Sequence, residues 1–152
     1  EENRVMPELE KIKVAFAKDP VRILLVTGPA NEISIGKIYA EFGAEVFVIP
    51  CMRNAFYKQE KQIMEERLGV TFIEEDFDTL EDVMGQVKPN VVSCEFQAQV
   101  ESMSRLMPTL INMLYLCEYG YDYALDLGEN FFKLLKKPVY EHWQGLLERY
   151  GV

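Results

Sequence analysis

Val21-Arg22-Ile23-Leu24-Leu25-Val26-Thr27, closed by Gly28-Pro29, is the stretch whose reading decides the fold. A short apolar run without polar alternation suits a strand buried on both faces, as in parallel sheets covered by helices. After it, Asn31 is placed to cap a helix whose apolar residues recur at Ile35, Ile38, Tyr39 and Phe42, with Gly43 as its C′ stop. Glu45-Val46-Phe47-Val48-Ile49-Pro50 then supplies a second strand. Strand, helix and strand within about 30 residues make one right-handed βαβ unit.

The unit recurs in looser form downstream. Tyr57 to Leu68 reads as a charged helix stopped by Gly69, and Val70-Thr71-Phe72-Ile73 as a third strand ending in the acidic run Glu74-Glu75-Asp76. Asp78 to Val87 reads as a short helix with Leu80, Val83 and Val87 inward, and Lys88-Pro89-Asn90 turns the chain into a fourth strand, Val91-Val92-Ser93. Glu101 to Met107 is helical in pattern, Pro108 breaks it, and Thr109 to Leu116 suits a fifth strand or a buried loop. From Tyr121 to Lys136, Ala124, Leu127, Phe131, Phe132 and Leu135 share a helix face, and Pro138 opens a last amphipathic helix to about Tyr150. Upstream, Arg4 to Lys18 forms an amphipathic helix with Met6, Leu9, Ile12 and Phe16 apolar and Pro7 near its start. It can pack on the domain or on a neighbour.

The expected organisation is a helix in residues 1–20 leading into a single domain over 21–152. The expected fold is α/β: a three-layer, mostly parallel Rossmann-like sheet of four to five strands with helices on both faces.

The 152 residues, 49% of them hydrophobic, are enough for one core and too few for two ordinary ones. A net charge of −9 argues against nucleic acid as a partner, because tracking phosphates requires surplus Lys and Arg. No apolar run approaches the roughly 20 residues needed to cross a bilayer, and the opening Glu-Glu-Asn-Arg is unlike a leader, so a cytoplasmic protein without membrane contact is expected. Cys51, Cys94 and Cys117 are too widely spaced for a disulfide framework or a metal knuckle, and the ordinary role of each is a small buried apolar residue. The lone histidine, His142, suits a surface or packing role.

Ligands of open parallel sheets bind outside the carboxyl ends of the strands. That rule nominates Thr27, Gly28, Pro29 and Asn31 after the first strand, Cys51, Arg53 and Asn54 after the second, and Ser93, Cys94, Glu95 and Gln97 after the fourth. Gly28-Pro29-Ala30-Asn31-Glu32 is not G-x-G-x-x-G, and no G-x-x-x-x-G-K-[ST] occurs, so dinucleotide or nucleotide binding is not expected. A Cys-His hydrolase lacks an acid partner for His142, and the run 74–76 suits a solvated loop better than a cation site.

The order of the pieces carries more than any one of them. Arg22-Ile23-Leu24-Leu25-Val26-Thr27-Gly28, Ile35-Gly36 and a helix ending Glu41-Phe42-Gly43-Ala44-Glu45-Val46 resemble the opening of the last domain of nitrogenase component 1-type subunits. Lys58 to Leu68, Phe72 to Asp76, Leu80 to Val87, Lys88-Pro89-Asn90-Val91-Val92 and Gly120-Tyr121-Asp122 follow in that family's order, over roughly residues 21 to 143. The likeness is closest to the molybdenum-iron protein alpha subunit and the related cofactor-assembly scaffold. It implies an oxidoreductase domain forming part of a metallocluster or substrate pocket, inactive alone, from an excised fragment or a single-domain relative. The implied partners are other domains of the same subunit, a paired component 1-type subunit and an ATP-driven iron-sulfur reductase. Full-length relatives carry an iron-sulfur or molybdenum-iron cluster or bind a tetrapyrrole.

The resemblance adds Cys117 to the cofactor-binding candidates Gly28, Asn31, Cys51, Arg53, Cys94 and Gln97. The family's histidine about ten residues before Gly-Tyr-Asp is missing from Ser104 to Tyr119, and Cys117 is the only imidazole or thiolate group nearby. The family's Gly-Gly and arginine correspond to Gly28-Pro29 and Asn31, which removes a backbone donor and a cation, and Tyr123 stands where Gly is usual. The isolated domain is therefore expected to hold no cluster. Two rivals follow: a non-catalytic scaffold or cofactor-assembly domain of the same fold, and a small-molecule sensor using the rim as a pocket.

Overall fold

The structure, a computed structural model, describes residues 2–27, 31–50, 55–74, 78–94, 109–111, 120–135 and 149. Its elements are α1 (Glu2–Lys18), β1 (Arg22–Val26), α2 (Asn31–Phe42), β2 (Glu45–Val48), α3 (Ala55–Leu68), β3 (Thr71–Phe72), α4 (Leu80–Val87), β4 (Val91–Cys94), β5 (Thr109–Ile111) and α5 (Tyr121–Leu135).

The strands form one sheet in the order β3-β2-β1-β4-β5, and every pairing is parallel. The decisive run Arg22–Val26 is the middle strand, flanked by β2 (Ile23 beside Val46) and β4 (Ile23 beside Val91). Both neighbours and both faces exclude water, which is why this strand tolerates no polar alternation. After β1 the chain builds outward through β2 to β3, then returns to the opposite side of β1 as β4. The order therefore reverses between β1 and β4, the topological switch point of an open sheet.

Period-two alternation sorts the strand residues between two cores. Ile23, Leu25, Val46, Val48 and Val91 pack with residues of α1, α2, α3 and α5, whereas Leu24, Phe47, Val92 and Cys94 pack with Val83, Met84 and Val87 of α4. Helices thus cover both faces, as expected of a three-layer Rossmann-like fold. α1 joins the same core. Phe16 lies 4.9 Å, ring centre to ring centre, from Phe131, 5.0 Å from Phe132 and 5.6 Å from Phe42, and so knits α1 to α5 and α2. Its buried stripe is Val5, Leu9, Ile12 and Phe16; Met6, expected on that stripe, is exposed because it stands about 100° around the helix from Val5.

Local signals end the elements where the sequence suggests. Gly43 and Gly69 adopt φ of +95° and +67°, the left-handed region that closes α2 and α3. α4 starts later than the expected Asp78: Thr79 is its cap, accepting from the Asp82 N–H while the Asp82 carboxylate accepts from the Thr79 N–H at 3.1 Å. Asn90 ties the amino ends of β1 and β4 together, its Oδ1 accepting from the Arg22 N–H at 2.7 Å and its N–H donating to the Arg22 carbonyl at 2.8 Å. The fifth strand covers Thr109–Ile111; residues 112–116 of the expected strand or loop, the helix expected at 101–107 and, apart from residue 149, the helix expected after Pro138 lie outside the described residues.

Candidate functional site

The carboxyl ends of β1 and β4 stand side by side, with Val26 in register with Cys94. α2 runs back across the sheet from this edge and sits unusually close to it. A Cβ added to Gly36 would lie 2.8 Å from Met64 Cε, 3.3 Å from Leu25 Cδ1 and 4.0 Å from Val48 Cγ2. The missing second and third glycines of a dinucleotide fingerprint do not keep this helix off the sheet, because Gly36 provides the close approach further along it.

This contact sets the level of α2 along β1. A strand advances about 3.3 Å per residue and a helix about 1.5 Å, so two residues beyond Leu25 correspond to roughly four before Gly36. By these rises Thr27 lies at about the level of the first turn of α2, which carries Glu32. Glu32, Ile35, Gly36 and Tyr39 share the sheet-facing stripe, at i, i+3, i+4 and i+7, and all are buried.

The polar members of this layer are sealed from solvent. Glu32 is 0% exposed, Tyr39 0%, Ser93 0% and Thr27 4%. The Thr27 Oγ1 has no hydrogen-bond partner, and the Tyr39 hydroxyl faces Ser93 without normal hydrogen-bond geometry. Burial pushes the Tyr39 phenol far above its ordinary range; the nearby Ser93 opposes that shift and Tyr123 adds to it. A buried carboxylate in a first turn is favoured by the positive end of the helix.

On the α4 side the edge is apolar. Cys94, Val26, Ile49 and Ile73 form one row across four strands: Cys94 is in register with Val26, the Ile49 N–H donates to the Leu25 carbonyl at 3.0 Å, and the Ile73 N–H donates to the Val48 carbonyl at 2.9 Å. Cys94, a rim candidate, closes β4 at the expected edge, but its side chain is 0% exposed among Leu24, Val83, Met84 and Val92. Asn31 opens α2. Gly28, Cys51, Arg53, Gln97 and Cys117, with Pro29, Asn54, Glu95 and His142, lie outside the described residues. Glu32 and Tyr39 were not among the residues nominated from sequence; the signal was a carboxylate in phase with the apolar stripe of its own helix.

A concavity of about 300 Å³ lies along α3, lined by Tyr57, Lys58, Lys61, Gln62, Glu65 and Glu74. Lys61 is ion-paired with Glu74 and, at 3.6 Å, with Glu65, and its ammonium stands 5.6 Å from the centre of the Phe72 ring. The hydrogen bond to Glu74 raises the Lys61 pKa, against an opposing effect of burial and with further attraction from Glu65. A catalytic amine must lose its proton near neutrality, and this one is driven the other way. Glu74, from the expected acidic loop, is thus part of an ion-pair network, while residues 75–76 lie outside the described residues.

No group of three or more His, Cys, Asp or Glu among the described residues is placed to hold a metal ion. The described thiol is packed into an apolar core. No known protein-family model matches the chain, and no curated protein matches it. No helix among the described residues is long and apolar enough to cross a membrane.

Proposed function

We propose that this chain is a pocket-forming domain of a nitrogenase component 1-type oxidoreductase subunit, inactive alone, whose carboxyl edge at β1 and β4 forms one wall of a substrate or metallocluster pocket. The observation that supports the reading is the all-parallel order β3-β2-β1-β4-β5, whose topological switch point, the usual ligand edge of open parallel sheets, falls between β1 and β4. It joins the ordered likeness of residues 21 to 143 to that family. Rossmann-like sheets host many functions, so the topology supports a site and the likeness supplies the chemistry. In such an enzyme the cofactor performs the electron transfer and the protein supplies position and electrostatics. The other domains of the subunit, its paired subunit and an ATP-driven iron-sulfur reductase would complete it.

The buried Glu32 and the sealed Cys94 favour a second reading, a non-catalytic scaffold or cofactor-assembly domain of the same fold. The two readings part at the gene. The reductase reading expects cysteines in cluster-binding positions elsewhere in the complete reading frame and an iron-sulfur ATPase encoded nearby. A complete frame of this length without such a neighbour would overturn it and leave the scaffold.

A further inference from the structure

We draw no further inference here: the strongest candidate, the concavity of about 300 Å³ along α3 lined by Lys58, Lys61 and Glu74, has its Lys61 ammonium already held by Glu65 and Glu74, and nothing in the structure shows what ligand it would take.

Discussion

Gly36→Ala tests the close packing of α2 against Met64 of α3 and Leu25 of β1. The new methyl would sit 2.8 Å from Met64 Cε and 3.3 Å from Leu25 Cδ1, about 1 Å inside a comfortable carbon contact at the closer of the two. Overpacking of this kind costs typically 1–3 kcal/mol, and replacing a helical glycine by alanine returns about 1 kcal/mol. Met64 is fully buried, yet its unbranched end can give way, so the expected net loss is about 1 kcal/mol. In urea that lowers the unfolding midpoint by roughly 0.5 M with an unchanged slope. Met64→Ala removes the obstructing methyl at its own cost of about 2–5 kcal/mol. On that background Gly36→Ala should become neutral or stabilising, a coupling of about 1–2 kcal/mol. If Gly36→Ala raises the midpoint equally in both backgrounds, α2 does not sit close to Met64 of α3.

Three further outcomes are expected. Gly128→Ala would place a methyl 2.7 Å from Ile12 Cδ1 and 2.9 Å from Ile12 Cγ2, against a stiff β-branched side chain, and should cost about 1–2 kcal/mol net in thermal or urea unfolding; a neutral result would mean that α1 does not pack on α5. Thr79→Ala should cost about 1 kcal/mol by removing the α4 cap, with early amide exchange at Asp82 as the local sign. Tyr39 has its folded pKa raised above the ordinary 10.0, so its stabilisation is complete below pH 10 and declines above it, by about 1.4 kcal/mol per pH unit. Lys61, also raised, loses its ion-pair contribution in the same direction as the pH climbs through its folded value. Tyr39→Phe should flatten the fall in urea midpoint between pH 9 and pH 11, and an unchanged slope would show that Tyr39 is not the buried group responsible.

The sequence was most legible where one residue type has one physical use. The apolar run at 22–26 and the glycines at 43 and 69 marked a buried strand and two helix ends because few alternatives satisfy those patterns. Spacing also placed the cores of α2 and α5, but it misassigned Met6, since a stripe read one residue out of phase turns by about 100°. Strand order lay beyond local pattern: the return of the chain to the far side of β1 is a tertiary event, and the Asn90 clamp on Arg22 joins residues 68 positions apart. The candidate site was legible in location and not in composition. Asn31 reads as a helix start, and the burial of Glu32 beside it is set by tertiary packing.

The central claim, that this domain is one wall of a component 1-type pocket, is tested most directly by the iron, molybdenum and tetrapyrrole content of anaerobically purified protein. The two samples are the 152-residue chain and the product of the complete reading frame with its paired subunit. The expected result is a colourless, iron-free isolated chain, and a cluster or tetrapyrrole in stoichiometric amount in the complete assembly. Stoichiometric iron in the isolated chain would contradict the account of its missing ligands, and an assembly free of metal and tetrapyrrole would contradict the oxidoreductase reading itself.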